Sequence, residues 1–575
     1  MSRAGDRAVR KARVAEAGVS PATQKLGLSG SLALGLMLVL AAAPVAAALF
    51  RATAGEKGFL GLLKSLGAAL SSPSTLRALD FGLKEAGASA LLALAIGLPG
   101  AYLVARHEFP GRRLLKALAG LPFCVPPILV VLAFVLYFGR NGYLNRFLMA
   151  AFGLAEPPLG FLYSFWGLVL VHGFYNFPIV LQTVGDAWEN VPRDREEAAR
   201  TLGAGRLRAF ATGILPSLLP VILQASALVF LFCFFSFVVV LVFGPLGGST
   251  LEVEIFRAAR MSADPAGAAA LSLIETAAAL LVVLLLTAAE RRGGEAARKT
   301  GTRQPRSKAV GPAFVFLVVY AVFLLVFFAG PLAALLAEAF TERRGMGGGG
   351  RLGFGNFARL LFGGPQRGAE TGGANWMAPQ GPLLGALGDS LATAFPAAAL
   401  ATVLGGVAAL LLRGKRSRAM ETALSLPLAV SGIVLALGWS FLFPRANRLL
   451  VVLVEAMAAL PFVLRSLMAA LAAVDRTPLL AARTLGAGRL RAALDIEARS
   501  ILPAFLTASA FAFSIAAGDA SAPLLIGAPG FEPLPLLVYR LVGSYRFPEA
   551  CAAGIVLALV TGLVFFAKDK DALHA

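Results

Sequence analysis

Long apolar runs, separated by short polar segments, cover almost the whole chain. A run of about 20 apolar residues is long enough to cross the hydrocarbon core of a bilayer as a helix. The runs fall into two sets of six, and they predict an all-α polytopic membrane protein with about 12 transmembrane helices. The predicted spans are residues 26–50, 84–105, 114–139, 160–184, 217–243 and 266–289, then 313–338, 386–412, 420–443, 449–472, 501–526 and 547–567.

One segment of the chain occurs twice. Residues 198–209 and 481–492 are identical letter for letter and lie 283 residues apart. The same offset relates Pro178 to Pro461, well outside the identical block. A register kept over such a distance indicates two copies of one structural unit. Because each half has an even number of spans, the copies have the same orientation and form a parallel repeat of two six-helix units.

Composition agrees with a membrane protein and narrows the alternatives. Of 575 residues, 58% are hydrophobic and only 15% are charged, whereas a soluble domain has about 25% charged residues. The net charge of +20 lies largely in short loops between spans, where Lys and Arg favour the cytoplasmic side. No nucleic-acid-binding motif accompanies this charge, so no nucleic-acid partner is predicted. The 3 cysteines and 3 histidines are scattered and predict neither a disulfide framework nor a metal site.

The basic loops also predict the orientation and the regions of the chain. Placing these loops in the cytoplasm puts the N-terminus there as well. The first apolar run is longer than the core of a signal peptide, so a retained first helix is favoured. The Gly-rich residues 346–381 are expected to form an irregular outer loop, and the linker a flexible tether. The predicted regions are a basic cytoplasmic N-terminus (1–25), a first transmembrane repeat (26–289), a basic cytoplasmic linker (290–312), a second transmembrane repeat (313–567) and a cytoplasmic tail (568–575).

Each copy of the repeated segment combines small residues with a glycine corner. In the first copy, Ala198, Ala199 and Gly203 clear one face of a short helix for close approach by another surface. Gly203 and Gly205 then allow a sharp backbone turn. An ordinary charged loop has no reason to stay nearly unchanged in both halves of a duplicated chain. The segment is therefore predicted to be a docking site.

This segment resembles the EAA loop of binding-protein-dependent ABC importers, through Glu197-Ala198-Ala199, Gly203 and Leu215-Pro216. In that family the loop is the coupling helix, which sits in a cleft of the ATP-hydrolysing subunit. Over essentially its whole length the chain is similar to the fused permeases, in which one polypeptide supplies both transmembrane halves. The coupling residues that the resemblance implies are Glu197, Ala198, Ala199, Gly203, Ala204, Leu215 and Pro216 in the first loop, and Ala481, Ala482, Gly486 and Ala487 in the second.

The resemblance further implies a type I importer permease fold in the bacterial inner membrane. The implied partners are a dimer of a cytoplasmic ABC ATPase, which uses ATP and Mg, and a periplasmic or lipid-anchored solute-binding protein. The chain itself has no G-x-x-x-x-G-K-S/T phosphate loop and no catalytic constellation, so it is predicted to be no enzyme and to bind no cofactor.

The second loop departs from the family pattern. Leu480 stands at the glutamate position, and Ala498-Arg499 replaces the Leu-Pro pair. Without the acid, the electrostatics of docking must differ between the loops, so the two halves are expected to contribute unequally.

Short matches suggest the solute. Residues 249–255 and Gly518-Asp519 resemble the corresponding regions of thiamine permeases. Ferric-iron permeases share several of these matches. Thiamine is therefore the favoured solute, and ferric iron is the alternative.

Three acidic or basic residues lie within or at the end of predicted spans. His172 and Glu455 are related by the 283-residue offset, and Asp519 lies towards the outer end of the eleventh span. Such residues cost roughly 2.5–3.5 kcal/mol at the centre of a membrane helix, so each needs a reason. They are pathway candidates, as a polar gate or a solute contact; the alternative is a buried pair or hydrogen bonds to neighbouring helices.

An ion-coupled secondary transporter is the main rival class, since it too can be built from six plus six spans. His172 and Glu455 could then be its coupling residues. The special feature of this chain lies in its predicted cytoplasmic loops, which favours the importer.

Overall fold

The structure is a computed structural model, and almost all of what it describes is α-helical. It describes residues 28–53, 59–118, 125–192, 194–243, 248–297, 306–342, 351–363, 381–412, 426–474, 477–486, 488, 491 and 493–566. Ala487, one of the predicted coupling residues, lies outside these ranges.

The first half contains thirteen described helices. The turn between α9 and α10 is a π-helix at Phe210–Ile214, and a second follows α12 at Arg257–Met261. The helices are α1 (Leu28–Thr53), α2 (Phe59–Ser71), α3 (Pro73–Arg106), α4 (Arg112–Leu118), α5 (Pro127–Phe138), α6 (Tyr143–Phe152), α7 (Phe165–Glu189), α8 (Asp194–Thr201), α9 (Arg206–Ala209), α10 (Leu215–Phe234), α11 (Val238–Phe243), α12 (Leu251–Phe256) and α13 (Pro265–Ala297).

The second half repeats this order without a counterpart of α6 among its described residues. Its irregular turns are π-helices at Leu325–Ala329 and Ala493–Ala498 and a 3₁₀ turn at Leu426–Ala429. The helices are α14 (Pro312–Leu324), α15 (Gly330–Ala339), α16 (Gly355–Phe362), α17 (Pro382–Leu412), α18 (Gly432–Leu442), α19 (Arg448–Ala473), α20 (Thr477–Thr484), α21 (Arg499–Gly518), α22 (Ser521–Ile526), α23 (Leu534–Gly543) and α24 (Phe547–Phe566).

Four two-residue strands complete the described structure. β1 (His107–Glu108) pairs in parallel with β2 (Ser307–Lys308), and β3 (Thr341–Glu342) pairs antiparallel with β4 (Arg351–Leu352). The β1–β2 pair fixes the end of the linker against the loop after α3. A flexible tether is therefore wrong for the described end of the linker, because backbone hydrogen bonds hold it.

The Gly-rich outer stretch also differs from its prediction. An irregular loop was expected over residues 346–381, but α16 lies within it. Asn356 and Leu360 of α16 are buried, and Arg359 forms an ion pair of 3.0 Å with Glu549 of α24. The helix forms because one of its faces is apolar and covers the end of α24.

The membrane-spanning helices agree with the hydropathy pattern. Among the described residues, 9 helices are long and apolar enough to cross a bilayer, and shorter apolar helices lie at Ala42–Arg51, Gly432–Leu442 and Phe547–Leu563. Each predicted span thus has an apolar helix at its place. The fold is an all-α polytopic membrane fold built from two related halves.

Four predicted spans are not continuous helices. The span predicted at 217–243 breaks between α10 and α11, and the one at 501–526 breaks between α21 and α22. The spans predicted at 114–139 and 420–443 are interrupted by non-helical residues just before α5 and α18. The prediction of unbroken spans was wrong there, because hydropathy does not distinguish an apolar helix from an apolar break. Non-helical backbone at membrane depth is tolerated where protein buries it or where it lines a cavity.

The first helical unit of each half crosses to the other half. α1 packs on α18 and α13, and α15 packs on α5 and α24. The contact of α1 with α18 is equivalent to that of α15 with α5, so the first helical unit of each half packs against the other half. The two halves therefore form one body with a pseudo-two-fold relation.

Close helix pairs form the core of each half. α3 packs along α7 and α17 along α19, with a glycine at each crossing. A Cβ atom on Gly97 would lie 2.7 Å from Cβ of Val180, and one on Gly405 would lie 2.8 Å from Cγ1 of Val463. Small residues let membrane helices approach closely and gain van der Waals contact. The equivalent glycines show that α17 matches α3 with an offset of 308 residues.

Gly97→Ala is expected to lower the melting temperature of the purified protein in detergent. The added methyl group overpacks the α3–α7 crossing, a change that costs about 1–3 kcal/mol. Gly87 lies on the same helix, and a methyl group added there would have no neighbouring atom within 4 Å, so Gly87→Ala is the matched control. Since alanine is the better helix former, the control should match or exceed the wild type. Equal melting temperatures for both variants would refute the proposed packing role.

Candidate functional site

A cavity of about 320 Å³ lies between the two halves. Residues of α5, α7, α10 and α11 line it from the first half, and residues of α18, α19, α21 and α22 from the second. The predicted pathway residues His172, Glu455 and Asp519 all line this one cavity. The repeat alone therefore located residues that the fold brings together.

The two helix breaks form part of the cavity wall. Phe235-Ser236-Phe237 separates α10 from α11, and Gly518-Asp519-Ala520 separates α21 from α22. The 283-residue offset superimposes these triplets, and all six residues line the cavity. Each break thus places one polar side chain, Ser236 or Asp519, at equivalent positions.

His172 belongs to a closed hydrogen-bonded triad. Its Nδ1 lies 2.6 Å from Oε1 of Glu85, and its Nε2 lies 2.7 Å from Oγ of Ser236. Ser89 also donates to Glu85, at 2.6 Å. His172 is 1% exposed, so the imidazole is held by neighbouring helices while its edge forms part of the cavity wall. The expectation of hydrogen bonds to neighbouring helices holds for this residue.

Glu455 lacks such partners. It is 2% exposed, and its Oε2 atom has no hydrogen-bond partner among the described residues. Asp519 is half-buried and lies close enough for electrostatic repulsion between its carboxylate and that of Glu455. Asp519 accepts hydrogen bonds from the backbone N–H groups of Ser521 and Ala522, which fixes its orientation at the start of α22.

A third carboxylate, Glu252 of α12, reaches the cavity. Both of its oxygens lack a hydrogen-bond partner among the described residues. It lies beside Glu275 of α13, whose Oε2 accepts a hydrogen bond from Ser431 at 3.5 Å. Ser431 is also the N-cap of α18, so this acidic cluster joins the two halves.

Aromatic rings cover another part of the wall. The ring centroid of Phe462 lies 5.8 Å from that of Phe232 and 5.7 Å from that of Phe511, so the cluster spans both halves. Sequence reasoning missed these rings, as well as Glu85 and Ser236. The signal for Ser236 was available, because the offset that relates His172 to Glu455 also relates Ser236 to Asp519.

The first repeated loop is a helix–corner–helix element. α8 ends in a Schellman motif: Gly203 has φ of +86°, the N–H of Ala204 donates to Ala199 O at 3.0 Å and that of Gly203 to Arg200 O at 3.0 Å. The positive φ explains the need for glycine at this position. Glu197 and Ala198 are exposed on α8, Ala199 and Ala204 are half-buried, and Leu215-Pro216 begins α10 after the π-turn.

The second loop has the same corner. Gly486 has φ of +89°, and the N–H of Leu485 donates to Ala481 O at 3.1 Å, as that of Leu202 does to Ala198 O at 3.2 Å. Ala481 is exposed and Ala482 half-buried, as in the first copy. The described residues of the second copy therefore repeat the positive φ and the helix-end hydrogen bond of the first.

Each corner presents an exposed leucine. Leu202 and Leu485 are both 88% exposed. These two residues lie in the repeated block but were not among the predicted coupling residues. Apolar side chains held out by a rigid turn are suited to entering a cleft on another protein.

The first loop is tied to the membrane helices by charge. Arg106 at the end of α3 pairs with Glu196 of α8 at 3.4 Å. Nearby, Glu189 at the end of α7 accepts from Arg112, Lys116 and Arg306 at 2.6, 2.7 and 3.0 Å. The Arg106–Glu196 ion pair thus joins α8 to α3, and the ion pairs of Glu189 join α7 to α4 and to the described end of the linker.

Two related helical halves, a cavity between them and a rigid protruding corner on each half define a transport permease. A family model described as "Binding-protein-dependent transport system inner membrane component" matches residues 97–293 and 401–569, once in each half. The chain belongs to this family. It is a multi-pass inner-membrane component in which both permease domains are fused in one polypeptide.

Curated relatives extend over nearly the whole chain. It is 28% identical to the thiamine transport system permease protein ThiP of Brucella abortus (strain 2308), over 96% of both chains. It is also 28% identical to ThiP of Escherichia coli K12, over 85% of this chain and 88% of that protein. The molybdenum transport system permease protein ModB of Escherichia coli K12 is 36% identical over 27% of this chain and 65% of its own length.

Glu85→Ala is expected to destabilise the protein by about 3–5 kcal/mol, because it leaves the buried imidazole of His172 without its carboxylate partner. Glu85→Gln keeps a hydrogen-bonding oxygen and should cost less. Thermal unfolding in detergent would measure both, with the exposed Glu156→Ala as the matched control. A Glu85→Ala variant as stable as the control would contradict the structural role of the triad.

Proposed function

We propose that this chain is the permease of an ATP-driven importer that passes thiamine from a binding protein outside the cell to the cytoplasm. Its N-terminus, the linker and the two glycine-cornered loops then lie on the cytoplasmic side, as the basic loops indicate. The named relatives over most of the chain support thiamine as the solute.

The composition of the cavity wall is the observation that carries this proposal. Thiamine combines a permanently charged thiazolium ring with a neutral aromatic ring. Glu252, Glu455 and Asp519 place three carboxyl groups at the cavity, and the Phe232–Phe462–Phe511 cluster supplies aromatic faces. Carboxylates and aromatic rings together attract an organic cation.

The two loops are proposed to receive the energy. A dimer of ABC ATPase subunits docks with one subunit on each corner, and its closure on ATP draws the corners together. The ion pairs of α8 and Glu189 carry this movement into α3 and α7. The halves then switch between two packings as rigid bodies and expose the cavity to alternate sides.

Uptake measurements test the solute and the energy source. Proteoliposomes containing this chain, its ATPase and its binding protein should accumulate labelled thiamine only when ATP is supplied inside. Ferric iron and molybdate are the comparison solutes. Preferential uptake of either one would refute thiamine, and ATP-independent thiamine uptake by this chain alone would favour a secondary transporter.

Corner substitutions test the docking of the ATPase. In Gly203→Ala/Gly486→Ala, both residues with positive φ acquire a Cβ, which costs about 1–2 kcal/mol at each left-handed position. We expect less ATPase to be retained on the affinity-tagged permease, because the corners no longer present their leucines in the same way.

Gly205→Ala/Gly488→Ala is the matched control for this experiment. These glycines lie two residues further along in the same loops, in open space and without a positive φ. The control should retain the ATPase like the wild type. Equal loss from both double variants, or from neither, would contradict a specific role for the corners.

A further inference from the structure

The pseudo-two-fold relation gives each member of the His172 triad a counterpart in the second half. The 283-residue offset relates His172 to Glu455 and Ser236 to Asp519, and the 308-residue offset of the α3 and α17 glycines relates Glu85 to Thr393. Glu85 and Thr393 are both buried on the face that packs on the neighbouring helix. The first-half triad of Glu85, His172 and Ser236 therefore contains a carboxyl, an imidazole and a hydroxyl group. The equivalent residues of the second half, Thr393, Glu455 and Asp519, are called the second-half triad and contribute a hydroxyl and two carboxyl groups.

The two triads differ in the hydrogen bonds that join their members. In the first half, His172 lies between its partners and hydrogen-bonds to both. In the second half, Thr393 donates to carbonyl groups of its own helix. One buried carboxylate oxygen in each half, Oε2 of Glu85 and Oε2 of Glu455, has no partner among the described residues. The imidazole at the centre of the first triad has no counterpart in the second, where a carboxyl group stands in its place.

Side-chain size also differs between the halves at the cavity. At three pairs of equivalent positions the first half places a bulky side chain and the second half a small one: Tyr175 and Ala458, Phe235 and Gly518, and Phe237 and Ala520. The second half therefore leaves room beside Asp519 where Phe235 and Phe237 fill the space beside Ser236 in the first.

Aromatic faces also adjoin this space. Phe462 and Phe511 of the second half stand where the first half has Ile179 and Leu228, and all four residues line the cavity. Aromatic rings stabilise quaternary nitrogen atoms, which cannot donate a hydrogen bond. Charge, space and aromatic faces coincide on one side.

We infer that Glu455 and Asp519 form the site that holds the positive ring of the solute during passage, with the hydrogen-bonded triad of the first half as its counterpart. This inference rests on the proposed thiamine transport. The second half of the permease then binds the positive charge of the solute. Two carboxylates that repel one another inside the membrane are stabilised by a cation between or beside them.

Charge-removing variants test the assignment. Glu455→Gln and Asp519→Asn keep the shape of each side chain and remove its charge. Uptake is compared for thiamine and for its neutral thiophene analogue, each at a concentration that saturates the binding protein. Each variant should lower thiamine uptake about tenfold and change uptake of the analogue less than about twofold.

The controls separate recognition of charge from general damage. Asp519→Glu keeps the charge and should retain most of the preference for thiamine, and Glu156→Gln removes an exposed acid outside the cavity wall. Thermal unfolding in detergent checks that Glu455→Gln and Asp519→Asn fold, and ATP hydrolysis stimulated by the binding protein should stay at the wild-type level in Glu156→Gln. Equal losses for thiamine and the neutral analogue, or no loss for either, would overturn the inference.

A transplanted triad provides a second test. Thr393→Glu/Glu455→His/Asp519→Ser copies the first-half triad into the second half. The variant should lose thiamine uptake, because the imidazole then occupies the place proposed for the solute's ring, and its melting temperature in detergent checks that it folds. Undiminished uptake would overturn the inference. If the wild-type protein moved no thiamine at all, the proposed function would fail instead, so the two failures are distinguishable.

Discussion

The structure depends on one constraint: inside a bilayer, a helix can stop only where its freed backbone groups are buried in protein or face a cavity. Two helices stop in this way, at Phe235-Ser236-Phe237 and at Gly518-Asp519-Ala520. The breaks lie at equivalent positions and face one another across the cavity between the halves. They place a hydroxyl and a carboxylate where continuous helices would have placed only another apolar turn.

The corners and the cavity are linked through the same helices. α3 and α7 contact each other closely at Gly97, hold Glu85 and His172 within hydrogen-bond distance of each other, and end in the charge cluster around Arg106 and Glu189. Because protein interiors are close-packed and deform little, this pair of helices forms a rigid connection between the first loop and the cavity wall. Under the proposed mechanism, close packing at the glycine crossing serves coupling as well as stability.

Local patterns predicted much of this arrangement. The exact repeat located both glycine corners, and the offset paired His172 with Glu455 before their positions in space were known. Hydropathy located an apolar helix in every predicted span, but it did not predict the short apolar helix Leu534–Gly543 and it missed the breaks, since Phe235 and Phe237 are as apolar as the helices around them. Glu85 was missed because its partner is 87 residues away, on a helix whose approach depends on tertiary packing.

Sequence comparison of the halves had a further limit. The 283-residue offset holds from α7 and α19 onward, whereas α3 and α17 are related by 308 residues. The offsets differ because α6 and its flanking loops have no counterpart among the described residues of the second half. The equivalence of Glu85 and Thr393 could therefore be read only after Gly97 and Gly405 were seen at equivalent helix crossings. The sequence therefore identified His172, Glu455 and Asp519, but it did not predict the residues that complete each triad.

Fusion of the two halves in one chain explains why they could diverge. In a permease made of two identical subunits, every substitution appears twice, so a carboxylate pair on one side would be repeated on the other. In a fused chain, one half can pair His172 with Glu85 while the other carries Glu455 and Asp519. The loops diverged in the same way, with Glu197 in one and Leu480 in the other. An asymmetric cavity then offers the proposed solute, with its single positive ring, one carboxylate pair instead of two.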